Sequence, residues 1–167
     1  MKTTKLEKLS ACKEAIEYVK TRKSAVDAWM NCDRGDWMLW LAKRLGVDDR
    51  LFTLAKATCV NQVRHLMKDQ RSLDAIDACF RYARGELTRE ELNEYAAAAY
   101  AAYDAYYTAY DAAYAAYAAA YAVYAAYAAY AAYAAYDAAR KESLKKSADI
   151  CREILTEEVL QKYKNKR

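Results

Sequence analysis

A cysteine nucleophile activated by a histidine is the first chemistry the residue types allow, since the chain holds five Cys and a single His. Such a site needs thiol and imidazole within hydrogen-bond reach, together with donors for an oxyanion. Cys59 and His65 are the pair to consider, and six helical residues turn them onto different faces, with no Gly-rich loop beside either. Cys12, Cys32, Cys59, Cys79 and Cys151 contain no C-x-x-C spacing, so with one His they supply no tetrahedral metal set by local spacing. Asp104 and Asp111, seven residues apart on one helix face, read with Thr108 as a solvated stripe. The expectation is a protein that is not an enzyme, with no catalytic, cofactor-binding or metal-binding residues and no cofactor.

What positions every other residue is the stretch from Tyr95 to Tyr136, in which fourteen of forty-two residues are Tyr and nearly all the rest Ala. Ala is the best intrinsic helix former, and a run this long sums that preference over many turns. Tyr103, Tyr107, Tyr110, Tyr114, Tyr117, Tyr121 and Tyr124 step alternately by four and three, the seam of a coiled-coil-like contact. Beyond Tyr124 strict triplets take over, and each step carries the ring about 60° backwards around the axis. The stripe therefore winds, so one neighbouring face cannot cover all the rings. Each ring buries apolar area while its hydroxyl wants water or a partner, as in a helical core or an oligomer seam.

The 167 residues include no Pro and three Gly, all in the first half, and strand signals are missing. The fold class expected is all-α: an N-terminal helical bundle over 1–87, packed with a long Ala/Tyr-rich helix and a C-terminal amphipathic helix over 88–167, as one continuous domain. Net charge is +4, divided as +3 over 1–94, −3 over 95–139 and +4 over 140–167. The Tyr-rich region lacks the cations that neutralise phosphates, which argues against nucleic acid as a partner. Residues 112–136 carry no charge, but Tyr prefers the membrane interface and Ala drives insertion weakly, so no membrane span is expected. An odd number of scattered Cys and no apolar leader at the amino terminus point to a reducing cytoplasm, with the thiols as small core residues.

The bundle's elements follow from apolar spacing. Leu9, Cys12, Ile16 and Val19 predict a first helix over 4–20, and Ser24 with Asp27 caps a short one carrying Trp29. Asp33 or Asp36 caps a helix with Trp37, Trp40, Leu41 and Leu45 in its core stripe, stopped by Gly46. Asp48 opens a helix reaching Met67, expected to be the most enclosed. Asp69 to Ser72 forms a polar joint before a helix with Leu73, Ile76 and Phe80 that ends near Gly85. Thr88 and Glu91 match a capping box for the long helix. Unbroken to Tyr163 that helix would extend about 110 Å, so a break is expected between Asp137 and Ser147, with Ser143 or Ser147 capping a last helix.

Three stretches carry a family resemblance. They are Ala25-Val26-Asp27-Ala28-Trp29 with Cys32-Asp33-Arg34-Gly35-Asp36-Trp37-Met38-Leu39-Trp40, then Met67-Lys68-Asp69-Gln70-Arg71-Ser72 through Ala75-Ile76-Asp77, and an Ala-rich helix after Glu90-Glu91-Leu92. In their order they resemble the immunity-protein-five-like group of bacterial polymorphic toxin loci. The chain departs from that group in carrying Tyr where its members mix Asp, Arg and Ala. The resemblance implies a noncatalytic helical protein that binds and neutralises a toxin partner. Partner contact would fall on Asp33, Arg34, Asp36, Asp69, Arg71 and Asp74, although each Asp also suits a helix cap and each Arg its ion partner. The alternative from another class is a structural protein that self-assembles through the Tyr/Ala seam.

Overall fold

The computed structural model describes residues 3–62, 64–67, 69–99 and 125–165, with the backbone alone for Leu66 and residues 125–137. The chain is all-α, and no strand occurs among the described residues. In order come α1 (Thr4–Lys8), α2 (Lys13–Lys20), α3 (Ala25–Met30), α4 (Gly35–Leu45), α5 (Asp49–Asn61), a 3-10 turn (Arg64–Leu66) and α6 (Gln70–Ala83). Residues 89–99 form α7, and α8 runs Ala125–Asn165. The tyrosine seam from Tyr103 to Tyr124, together with Asp104 and Asp111, lies outside the described residues.

Two compact units divide the chain, one of Met1–Cys59 with Ser143–Arg167 and one of Val60–Glu142. In the first, α8 is the centre. Ala148, Cys151, Leu155 and Val159 recur by three and four along one face and are at most 1% exposed. They pack with Trp29, Cys32, Met38, Ala42, Leu45, Val47 and Ala55. Polar groups tie the same helix to the bundle. Trp29 Nε1 donates to Thr156 Oγ1 at 2.8 Å, Arg152 Nη1 donates to the Cys32 carbonyl at 2.6 Å, and Asp48 N donates to Glu158 Oε1 at 2.9 Å. Gly35 is buried at the first turn of α4, where an added Cβ would stand 2.5 Å from Ser147 Cβ and 2.7 Å from Ala148 N. Only a residue without a side chain lets these two helices approach so closely.

The second unit has its own small core of Ala78, Tyr82, Leu87 and Leu92, with Cys79 and Tyr95 beside it. Arg64 reaches Asp77 through two parallel hydrogen bonds of 2.5 and 2.8 Å. The Thr88 capping box forms as expected. Thr88 N donates to Glu91 Oε2 at 2.7 Å, and Glu91 N donates to Thr88 Oγ1 at 3.2 Å.

Four local expectations give way. The helix expected over 4–20 is cut at Ser10, whose φ of 63° is left-handed. The cause is packing: Leu6 and Val19 share one core cluster with Ala28, and on a straight helix they would lie about 20 Å apart. Neither Asp33 nor Asp36 caps α4; Arg34 holds that position without a side-chain bond, and its guanidinium takes the Asp36 carboxylate instead. The helix opened by Asp48 ends at Asn61 and is not the most enclosed, since Val60 is 42% exposed. No break interrupts 137–147. Ser143 and Ser147 lie inside α8, where nothing breaks the backbone pattern: no Gly or Pro is present, and Ser in a helix interior costs only a fraction of a kcal/mol.

Gly35→Ala tests the close approach directly. A helical Ala ordinarily stabilises over Gly by about 1 kcal/mol, but here urea unfolding is expected to show a loss of about 1–3 kcal/mol because backbone must move. Leu155→Ala, fully buried, is expected to cost about 2–5 kcal/mol.

Candidate functional site

Within the first unit, α1, α2, α3, α4 and the end of α8 wall a half-open cavity of about 70 Å³. Its walls are aromatic: Tyr18, Trp29, Trp37, Trp40 and Tyr163 all face it, so every Trp of the chain is there. The polar ends of two rings are spent on the protein. Tyr18 Oη donates to the Ala28 carbonyl at 3.0 Å, and Trp29 Nε1 is held by Thr156, which leaves carbon surface toward the cavity. Tyr18 and Trp37 tilt against each other at 56° with centroids 5.9 Å apart. Trp37 and Trp40 are one turn apart in α4 and only half buried, so they are wall residues of this opening rather than sealed core as their stripe suggests.

Four of the five rings carry a cation on one face. Lys5 Nζ lies 4.3 Å from the Tyr163 centroid, and the guanidinium carbons of Arg22, Arg34 and Arg44 lie 4.4, 4.3 and 5.7 Å from Tyr18, Trp37 and Trp40. Arg34 also pairs with Asp36. Burial pushes the Asp36 carboxyl up, but the hydrogen bonds and charge of Arg34 outweigh it and hold the group below the usual carboxylate range. Lys5 donates to the Tyr163 carbonyl, and Arg22 has no carboxylate partner among the described residues.

The six residues named for partner contact divide between the units, Asp33, Arg34 and Asp36 in the first and Asp69, Arg71 and Asp74 in the second. Asp33 is exposed between α3 and α4, beside the Arg34–Asp36 pair. In the second unit Asp69 caps α6 through Arg71 N at 2.9 Å, and its carboxylate also takes the Arg71 guanidinium at 2.9 Å. Asp74 accepts from Gln70 Nε2 at 2.7 Å. These bonds are the work of helix ends. The signal that could have located the cavity was the concentration of all three Trp within residues 29–40; nothing in the sequence placed Tyr18, Lys5 or Tyr163 beside them.

Among the thiols, Cys32 and Cys151 are buried, Cys59 and Cys79 are partly so, and Cys12 is exposed rather than core. Cys59 Sγ donates to the Ser147 carbonyl at 4.0 Å and Cys151 Sγ to the Gly35 carbonyl at 3.9 Å. Interaction between the two thiols holds Cys59 below the ordinary thiol range and pushes Cys151 above it, with burial adding to the rise of Cys151. His65 is exposed in the 3-10 turn. Among the described residues no group of three His, Cys, Asp or Glu side chains gathers as a metal site, and no helix is long and apolar enough to cross a membrane.

No protein-family model matches the chain, and neither the curated proteins nor the solved structures include a match.

Alkylation of the native protein is expected to label Cys12 first and Cys151 last, as read by mass spectrometry of timed digests. Tyr18 supplies a pH test. Burial raises its phenol to about 12, so the folded state holds this proton more tightly than the unfolded one. Its contribution is fully present below pH of about 10 and is lost as pH climbs through about 12. Denaturant midpoints should fall less steeply over that window in Tyr18→Phe than in the parent.

Proposed function

We propose that the chain is a noncatalytic binding protein of immunity type, which captures and neutralises a bacterial toxin in the cytoplasm. The observation that carries this reading is the half-open aromatic cavity. Ala25, Ala28, Trp29, Cys32, Trp37, Met38 and Trp40 line it, all from the stretches that resemble the immunity group. A solvent-open pocket with aromatic walls is the form a protein-binding hot spot takes. Its volume also argues for a protein target: about 70 Å³ is well below the several hundred of a small-molecule or cofactor pocket, and suits a single inserted side chain.

Co-expression with each toxin encoded beside the gene is the direct test. Rescue of growth and co-purification are expected with one of them, and Trp40→Ala is expected to abolish both while leaving the helical circular dichroism intact. Failure of every neighbouring candidate to be rescued or bound would remove this reading. An oligomer dissolved by Tyr114→Asp or Tyr130→Asp, with no toxin bound, would put self-assembly in its place.

A further inference from the structure

Resting on the reading of the chain as a protein-binding partner, we infer that the cavity takes one aliphatic side chain from an acidic segment of the target, whose carboxylates meet the cations stacked on the rings that line it. The size of the cavity restricts what enters. An engineered apolar cavity of about 150 Å³ holds benzene, so one of about 70 Å³ open to solvent suits the end of a Leu or Met side chain. The lining is carbon, so the inserted group is apolar.

Charge decides what flanks it. The unit that contains the cavity has 19 Lys+Arg against 12 Asp+Glu, a net +7, while residues 60–142 have 8 against 11, a net −3. Part of the excess sits against the cavity's wall rings: Lys5, Arg22, Arg34 and Arg44 each stack on a ring that lines it. Three of the acids on these elements are engaged, while Glu7, Glu14 and Asp33 are exposed. Asp36 is held by Arg34, Asp27 accepts from Lys23 N and Asn31 Nδ2, and Glu17 pairs with Lys20. Neither Arg22 nor Lys5 pairs with a carboxylate among the described residues: Arg22 stacks on Tyr18 with its Nε buried and without a hydrogen-bond partner, and Lys5 meets a carbonyl and a ring. A cation stacked on an aromatic face is already aligned, so it loses little freedom when it donates to a carboxylate. Complementary rim charges of this kind set the encounter rate and the choice of partner more than the depth of binding.

Because all three Trp face the cavity, their fluorescence reads its occupancy without a label. The full chain is titrated with three linear peptides of equal length: Asp/Glu-rich with a central Leu, the same with a central Ser, and Lys-rich with a central Leu. Saturable fluorescence change is expected with the first alone, weakening as salt is raised. The double substitution Lys5→Gln/Arg22→Gln is expected to weaken it about fivefold, and Ala25→Leu, which narrows the cavity, to remove the response. Circular dichroism melts of both variants check that they fold, and the salt series on the parent stands whether or not they do. Equal response to the central-Ser or the Lys-rich peptide overturns the inference, as does a concentration-dependent fluorescence change from self-association without peptide. Toxin rescue with no response to the acidic Leu peptide would sink this inference and leave the binding reading standing; peptide response with no rescue by any neighbour would do the reverse.

Discussion

The close approach of α4 and α8 at Gly35 is the constraint on which the first unit depends. With no Cβ at that position, Ser147 and Ala148 come against the backbone of α4, and Cys151 Sγ can donate to the Gly35 carbonyl at 3.9 Å. That contact sets the position along α8 from which the rest follows. Leu155 and Val159 then fall against Met38, Ala42 and Leu45, and Glu158 reaches the backbone before α5. These links join residues more than a hundred positions apart, so the chain's two ends fold as one body and neither forms this core alone.

The cavity is a consequence of the same arrangement. α8 covers one side of α4 with Cys151 and Leu155, and only its last turns, through Val159, Leu160 and Tyr163, reach the side bearing Trp37 and Trp40. α2 and α3 supply the opposite wall but are short, eight and six residues, and cannot close over two indole rings. The remaining aromatic area is covered by cations, which shield carbon with their stems while keeping charge in water. An apolar opening whose wall rings carry stacked cations is the result, and it is formed entirely within one compact unit.

Features governed by neighbours in sequence were legible in advance. Ser24 accepts from Asp27 N at 3.0 Å, Asp69 caps α6, Gly46 takes φ of 68° at the end of α4, and Thr88 with Glu91 closes its box. Each is decided within four residues, so local chemistry suffices. Other features rest on packing or pairing that the apolar spacing does not show. Ser10 bends because Leu6 and Val19 serve one core, and Arg34 stands where an acidic cap was expected because it pairs with Asp36 and stacks on Trp37. α8 stays whole through 137–147 because no Gly or Pro interrupts it. The seven tyrosines of the seam lie outside the described residues; of the six residues chosen for partner contact, five make bonds within their own segment and Asp33 is exposed.

By itself, the sequence determined an all-α chain, the residues that start and stop most of its helices, and the aromatic stock from which a binding surface could be made. Tertiary structure alone decided that the C-terminal helix is the centre of the first unit, and that Tyr18 and Tyr163 stand with the three tryptophans around one opening. The reason is physical: helix propensity and capping are set by bonds a few residues long, whereas a cavity exists only where surfaces from distant segments meet and fail to close.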